Sequence, residues 1–336
     1  LFYKLKIKKA KEKGVSLVLI VKDNVENEVQ KNKQRLESPS MILKSKEKNT
    51  NVVYISKQIA EEILSGKNTI ENIKQEILKS KKKVIITVRK KLKIKAQAQQ
   101  KPLEAENVLG FIEGKELKDE VIVMSAHYDH LGIKDGKIYN GADDDGSGTV
   151  ALLELAKAFT EAKKQGYGPK RSILFIAFSG EEKGLLGSSY YTEHPEIPLI
   201  NTVCDLNIDM IGRIDEKHNG NPNYVYLIGS DKLSSDLHNI SESVNKTYMQ
   251  LDFDYTFNDE KDKNRFYYRS DHYNFAKNKV PVIFYFNGVH DDYHQPTDDV
   301  EKINFEKIQK ISSLVFFTAW ELANRTERIK TDSNKK

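Results

Sequence analysis

Beyond about residue 105 the chain alternates short, mostly apolar runs with long stretches that are apolar at every third or fourth position. Residues 107–112, 121–125, 173–178, 203–208 and 280–286 read as strands, and 147–164 and 305–323 as helices. Runs without an interleaved polar residue belong to strands covered on both faces. The alternation therefore predicts an α/β unit with a mixed, mainly parallel central sheet between two layers of helices. Before residue 100 the pattern is weaker. Residues 10–14 read as a helix end, 15–21 as a buried strand and 52–55 as a short strand, while Ser56 is placed to cap a helix over 57–64 that Gly66 would stop. Apolar and basic residues alternate over 84–95, the pattern of a strand with one wet face. The segment 96–102 reads as a linker. It separates a domain over 1–100 from a larger one over 101–328, and residues 329–336 read as a frayed polar tail.

Charge sharpens that division. The 336 residues carry 54 Lys and Arg against 49 Asp and Glu. Of these, 25 basic and 10 acidic residues fall within 1–100, so a balance of +15 is followed by −10 in the remainder. Such asymmetry marks a domain boundary, and Lys81-Lys82-Lys83 with Arg89-Lys90-Lys91 suits an anionic surface. Without an aromatic platform or a recognition-helix pattern, no nucleic-acid partner is expected. Cys204 is the single cysteine, which excludes an intrachain disulfide and a thiolate zinc cage. Any metal must then be held by histidines and carboxylates. No run approaches the roughly 18 apolar residues that a spanning helix needs, so no transmembrane segment is expected. The start at Leu1 suits either a chain whose export signal has been removed or a truncated one, and export is the expectation.

Acidic and histidine-bearing segments follow the strands. His127-Tyr128-Asp129-His130 comes after 121–125, Gly180-Glu181-Glu182 after 173–178, Asp209-Met210 after 203–208, and Asp291-Asp292-Tyr293-His294 after 280–286. A fifth segment, with Asp143, Asp144 and Asp145 between Gly141 and Gly148, opens the first long helix. Ligands in open α/β sheets gather at the carboxyl ends of strands, so the five segments are expected to share one cleft. Crowded carboxylates repel one another unless cations balance them. Nitrogen and oxygen donors without sulfur suit zinc and permit cobalt or manganese. One carboxylate bridging two ions roughly 3.5–4 Å apart is the arrangement of paired-metal hydrolases.

In order along the chain, His127-Tyr-Asp129, Gly-Ala-Asp-Asp144-Asp-Gly-Ser-Gly, Gly-Glu181-Glu182, Asn-Ile-Asp209-Met and Tyr293-His294-Gln-Pro-Thr-Asp298 resemble the co-catalytic zinc aminopeptidases of the bacterial secreted type. That family also includes glutamate carboxypeptidase, transferrin-receptor-like and glutaminyl cyclase relatives. The resemblance spans about residues 105–325 and implies the three-layer zinc-peptidase fold with two zinc ions. His127 and Asp209 would bind one, Glu182 and His294 the other, and Asp144 would bridge them. It further implies Glu181 as general base, Asp129 as the carboxylate accepting the other imidazole N–H of His127, and Tyr293 as a phenol stabilising the tetrahedral intermediate. The implied substrate is a peptide with a free N-terminus, and the implied reaction is removal of its first residue. A one-zinc glutaminyl cyclase and a catalytically silent receptor are the alternatives on this scaffold. More weakly, Ala-x-x-x-Gly14-Val-x-x-Val-Leu-Ile-Val21 followed by Val53-Tyr-Ile-Ser-x-x-Ile-Ala60 resembles a protease-associated domain, a lid-like module lacking here its first strands.

Each motif alone has an ordinary reading: a surface histidine at a strand end, a helix-capping loop, a solvated acidic pair, a turn former. Their joint occurrence in order is what points to a site. Among the other histidines, His130, His194, His218 and His238 have no partner motif and are expected at the surface. The Tyr-His-x-x-x-Asp context favours His294 over His290 as the ligand. Asp271 and His272 are divided between support of the site and packing, Asp298 between orienting His294 and capping the next helix, and the aromatic residues from Phe284 to Phe286 read as core.

Overall fold

The computed structural model describes residues 2–38, 40–44, 51–64, 69–80, 87–95 and 101–332. It consists of two compact units, Leu1–Pro102 and Leu103–Lys336. Among the described residues no helix is long and apolar enough to cross a membrane.

In the first unit α1 (Phe2–Glu12) precedes β1 (Leu17–Lys22), α2 (Val25–Lys31) and α3 (Lys33–Glu37). Then come β2 (Asn51–Ser56), α4 (Lys57–Leu64) and α5 (Ile70–Ser80). The two strands pair in parallel, from Leu17 opposite Asn51 to Lys22 opposite Ser56. The Ser56 hydroxyl caps α4 by accepting the Ile59 N–H at 3.3 Å; Gly66 lies outside the described residues. Of the apolar run 15–21 only Ile20 is buried, and Val21 is 39% exposed, because a two-stranded ribbon has little sheet surface to cover. The strand expected over 84–95 is absent from 87–95, which has no regular structure. Its alternating pattern supplies two faces but no partner strand to take up its backbone groups. Residues 84–86 and 96–100 lie outside the described residues.

The second unit runs β3 (Val108–Ile112), β4 (Leu117–His127), a hairpin of β5 (Gly132–Lys134) and β6 (Lys137–Tyr139), α6 (Gly148–Lys164), β7 (Arg171–Phe178) and α7 (Leu186–Glu193). It continues with β8 (Thr202–Ile208), β9 (Tyr224–Ile228), α8 (Ser235–Val244), β10 (Asp252–Asp254), α9 (His272–Ala276), β11 (Val282–Phe286) and α10 (Phe305–Asn324). Seven strands form one mixed sheet in the order β10-β9-β11-β8-β4-β7-β3. Its four central neighbours, β11, β8, β4 and β7, are all parallel. β9 and β3 are antiparallel to the strands they flank, and β10 is parallel to β9. The mainly parallel, helix-covered sheet expected from the apolar runs is thus the observed one. Because the central four run the same way, their carboxyl ends lie along one edge.

Side-chain alternation sorts the core by face. Ile122, Met124 and Ala126 of β4 meet α6, α8 and α10 through residues such as Leu155, Leu237 and Leu314. Val121 and Val123 turn to the opposite layer, where Tyr191 of α7 and Phe275 of α9 pack. Phe159 is fully buried in the first layer, with ring centroids 4.7 Å from Phe316 and 5.8 Å from Trp320. Buried Arg171 pairs with Glu120 at 2.6 Å and donates to the carbonyls of Leu322, Arg325 and Thr326, satisfying chain ends that α10 leaves open. Residues 329–332, expected in a frayed tail, are instead held against the domain, and 333–336 lie outside the described residues. Ile329 is buried in the core, the Lys330 N–H donates to Asp236 at 2.9 Å, and the Asp332 N–H to the Leu233 carbonyl at 3.1 Å.

Phe159→Ala leaves a cavity among rings that cannot collapse onto it, so it is expected to lower the stability of this unit by about 3–5 kcal/mol. Urea unfolding followed through the fluorescence of Trp320, the single tryptophan, reads the change; a loss below about 1 kcal/mol would contradict this account of the core.

Candidate metal centre

Four of the five expected segments emerge from the carboxyl ends of the parallel strands, and the fifth is the turn that enters α6. His127 is the last residue of β4, Glu181 and Glu182 follow β7, Asp209 follows β8, and His294 lies in the loop after β11. Asp144 sits in the single turn Ala142–Ser147. The structure brings all of these side chains together. His127 Nε2 is 3.3 Å from Asp144, 3.7 Å from Asp209 and 4.0 Å from Glu181. His294 Nε2 is 3.2 Å from both Asp144 and Glu182. Asp144 therefore faces the two histidines with one oxygen each.

The tautomer of His127 follows from its other nitrogen. Nδ1 lies 3.0 Å from the backbone carbonyl of Asp129, which can only accept, so Nδ1 carries the proton and Nε2 offers a lone pair. That lone pair looks onto carboxylate oxygens, which are acceptors too. His127 Nε2, Asp144 Oδ2 and Glu182 Oε1 are buried without a hydrogen-bond partner among the described residues. Acceptors facing acceptors in a buried space call for a cation, and this nitrogen–oxygen donor set fits zinc. Without one, protons must supply the charge. Burial opposes ionisation of His127, but Asp144 and Asp209 outweigh it and raise its pKa well above the usual range. Burial likewise opposes His294, and Asp144 and Glu182 lift it to about 9. Glu181 moves up strongly because it is buried and because Asp209 and Asp271 are near.

The consecutive aspartates divide the work of holding this turn. Only Asp144 faces both His127 and His294. Asp145 accepts the backbone N–H groups of His127, Gly148 and Met210 at 3.0–3.1 Å, fastening β4, α6 and the end of β8 to one carboxylate. Its oxygens are thus taken, although His127, Asp145 and Asp209 also bring ligand atoms within 4.8 Å of one another. Asp143 accepts the Gly212 N–H at 2.6 Å and lies 3.2 Å from His290 Nε2, so His290 is engaged away from the cluster. A Cβ on Gly148 would stand 2.5 Å from the Ile208 carbonyl, too close for any other residue there. Met210 and His294 both hold positive φ, at 58° and 57°, a conformation non-glycine residues adopt rarely.

Several expected roles change. The Asp129 carboxylate accepts the Glu181 backbone N–H at 3.0 Å, and it is the Asp129 carbonyl that orients His127. Buried Asp298 is engaged elsewhere than with His294 or the next helix: it accepts the N–H groups of Asp143 and Asp144 at 3.1–3.2 Å, at the start of the turn Ala142–Ser147. Asp271 and His272 are fully buried; His272 stacks on Phe284 at 4.7 Å, and burial lowers its pKa to about 3, so it packs as a neutral ring. Burial raises Asp271 to about 7, and its charge is felt by Glu181. His130 is not a surface residue. Its side chain is 8% exposed, with Nδ1 2.9 Å from Glu182. His218 is also inside, between Asp215 at 2.5 Å and Asp254 at 3.3 Å, whereas His194 is exposed.

An open cleft of about 350 Å³ leads to the cluster. Met210, Phe266, Phe284, Phe286 and Val289 form its apolar wall, so the aromatic residues of β11 serve the cleft as well as the core. On the polar side Arg269 donates to the Tyr293 hydroxyl at 3.2 Å, and the Tyr293 ring stacks on His294 at 3.9 Å.

Residues 107–319 match peptidase family M28. Aminopeptidase YwaD of Bacillus subtilis (strain 168) is 27% identical over 259 residues, 71% of this chain and 49% of that protein. Among solved structures, BSAP, a zinc aminopeptidase from Bacillus subtilis, aligns with a TM-score of 0.53 and 26% identity over 68% of this chain and 53% of its own. The LapA aminopeptidase of Legionella pneumophila aligns with a TM-score of 0.55 and 29% identity over 66% and 56%. The chain spans about half the length of these relatives. Since the matched segment covers well over half of its residues and includes every segment of the cluster, the chain belongs to peptidase family M28.

Proposed function

We propose that the second unit is a metallo-exopeptidase that removes N-terminal residues from peptides, with one zinc ion on His127 and Asp209, a second on Glu182 and His294, and Asp144 between them. The observation that carries this reading is the convergence of His127 and His294 on Asp144, Glu182 and Asp209 at 3.2–3.7 Å, with His127 Nε2, Asp144 Oδ2 and Glu182 Oε1 buried without a hydrogen-bond partner among the described residues. The relatives named as aminopeptidases support the choice of peptide end. No observation favours the cyclase or receptor alternatives.

Bound there, the ions supply Lewis-acid polarisation of a carbonyl and acidify water. The protein's own groups do the rest. Glu181 lies at the cleft floor beside His127 and is bonded to neither histidine. Its raised pKa suits a group that takes a proton from the attacking water and returns it to the departing amine. The Tyr293 hydroxyl accepts from Arg269, which leaves its own O–H free to donate to a developing oxyanion. The apolar wall of the cleft suits an apolar first side chain, and the carboxylates suit the free amine that precedes it.

Aminoacyl-nitroanilide hydrolysis, measured with and without chelator, tests the reading. Chelation should abolish turnover and zinc or cobalt should restore it; a protein that binds no metal and cleaves no such substrate in their presence sinks it. Glu181→Gln is expected to reduce kcat by about 10²–10⁴-fold with metal content unchanged by elemental analysis, and wild-type turnover in that variant would remove Glu181 from the mechanism. Asp298→Ala frees the N–H groups that hold the Asp144 backbone, and is expected to weaken metal binding by about 10–100-fold in a chelator competition at preserved secondary structure.

A further inference from the structure

We propose that Arg213 is a positioning residue: it holds the turn that carries Tyr293 and His294 in place against the turn that carries Asp144, while touching neither substrate nor metal itself. This rests on the two-ion reading above and concerns the spacing of two of its ligands.

His294 needs such a hold. The Gln295 N–H donates to the Asp292 carbonyl at 2.9 Å, which closes a tight turn with Tyr293 and His294 at its two central positions. His294 is the third residue of that turn, with φ at 57°, where glycine or asparagine is the usual occupant. Its side chain is 36% exposed, so packing does little to fix it. The turn is instead held at its first residue. Asp292 Oδ1 accepts from the Thr297 hydroxyl and the Lys302 ammonium, both at 2.6 Å and both from the chain just beyond the turn. Asp292 Oδ2 accepts from Arg213 Nη2 at 2.8 Å, and Arg213 belongs to a different segment, the one that follows β8 and Asp209.

Arg213 is anchored at its base to the turn of Asp144. The N–H of neighbouring Gly212 donates to Asp143 at 2.6 Å, the Gly212 carbonyl accepts the Asn304 N–H at 2.8 Å, and a Cβ on Gly212 would stand 2.8 Å from the same Asp143 oxygen. At its tip the guanidinium forks. Nη1 is buried without a hydrogen-bond partner among the described residues and lies 4.0 Å from Asp298, the carboxylate that accepts the Asp143 and Asp144 N–H groups. One side chain, 18% exposed, thus faces the carboxylate that begins the His294 turn and the carboxylate that holds the Asp144 turn. A planar guanidinium presents donors to two carboxylates at once, which a lysine ammonium does not match. Arg213 is not among the residues that line the cleft.

The hold and the charge of Arg213 act in opposite directions on a bound cation. As a nearby positive charge it repels metal, so its loss would tighten binding. As a hold, its loss loosens the site.

Zinc affinity in a chelator competition therefore tests the proposal without reference to turnover. Arg213→Gln and Asp292→Asn are each expected to weaken zinc by about 10-fold or more. The double variant should weaken it no further than the worse single one, since both break the same contact. Lys302→Gln takes an equal charge from the same carboxylate but leaves the tie between segments, and is expected to shift zinc affinity by less than about 3-fold. With zinc saturating, Arg213→Gln should lower kcat by about 10–100-fold and keep KM within about 2-fold, because it displaces Tyr293 and leaves the cleft lining unchanged. Zinc binding that is unchanged or tighter in Arg213→Gln, or an equal loss in Lys302→Gln, overturns the assignment of Arg213 and leaves the two-ion reading intact. If Arg213→Gln shows no cooperative unfolding by Trp320 fluorescence, Asp292→Asn against Lys302→Gln decides: a greater zinc loss in Asp292→Asn supports the tie, and an equal one overturns it. A wild-type protein that binds no zinc overturns both readings.

Discussion

Uncompensated negative charge is the constraint around which the second unit is built. Asp144, Glu181, Glu182 and Asp209 meet within a few ångströms of one another, largely out of contact with water. Apart from the Ser270 hydroxyl, which donates to Asp209 at 2.6 Å, no neutral side-chain donor among the described residues relieves them. The carboxylates that are relieved are the ones not aimed at the histidines. Asp143, Asp145 and Asp298 spend their oxygens on backbone N–H groups of Gly212, His127, Gly148, Met210, Asp143 and Asp144. Charge-assisted bonds of this kind are strong and directional. They turn loops from separate strands into one rigid frame, which is what keeps the unrelieved carboxylates from swinging apart. The acidic composition of this unit is thus partly structural and partly chemical, and neighbouring aspartates in one turn belong to different categories.

The same division appears deeper in the sheet. Successive residues of a strand point to opposite faces, so Cys204, Leu206 and Ile208 of β8 enter the core under α6 and α10 while Asp205 and Asn207 take the other face. Ser125 of the adjacent β4 shares that second face. It lies 2.7 Å from Asp205 and 2.9 Å from Asn207; the Asn207 amide donates to Ser270 at 2.9 Å, and the Ser270 hydroxyl donates to Asp209 at 2.6 Å. Since Ser270 has one proton and Asn207 already occupies its acceptor side, that proton is directed to Asp209. Burial raises Asp205 well above the ordinary carboxylate range, although the Ser125 hydroxyl opposes the shift. A row of fixed dipoles therefore reaches from the middle of the sheet to one of the facing carboxylates.

What the chain reveals on inspection and what it hides follow from the range of the interactions. β7 and β11, and β4 over 121–124, are legible because a strand buried on both faces is nearly apolar throughout, β8 because apolar residues still alternate through it between Asp205 and Asn207, and α10 because a long helix repeats its apolar face many times. β9 is as fully buried, yet Tyr224 to Ile228 is a short run whose two tyrosines bond to the Asn287 carbonyl and to Asp215, distant groups that no local pattern announces. The run 84–95 shows the opposite failure, a strand-like alternation without a partner. At the centre, the spacing of residues after the strands brought out the facing side chains, since the parallel order places those loops side by side. It did not distinguish Asp129's carbonyl from its carboxylate, nor reveal Asp298's hold on the turn, because backbone groups leave no trace in side-chain identity. His130 was hidden for another reason. It stands three residues beyond His127, and its inward position rests on contacts with Glu182 and Gly141, residues 52 and 11 positions away that no local pattern ties to it.

Burying this much charge is tolerable because the cost is confined to one end of one layer. The face of the sheet under α6, α8 and α10 is dry along its length, with Ile122, Met124, Phe159, Ile311 and Leu314 all nearly inaccessible. The opposite face is apolar through Val121, Val123 and Leu174 before it turns polar at Ser125, His127 and Asn207. Hydrophobic burial scales with area removed from water, so the long dry face and the near half of the other supply the folding free energy. The far half is left free for groups that oppose folding individually and make sense only as a set. A parallel sheet gives this arrangement directly: side chains at the middle of the strands are walled in by neighbours and helices, while those at the carboxyl ends are followed at once by loops, where polar groups find backbone partners. The chemistry sits at that edge because it is the one place in the unit where buried polar groups and a route to solvent coexist.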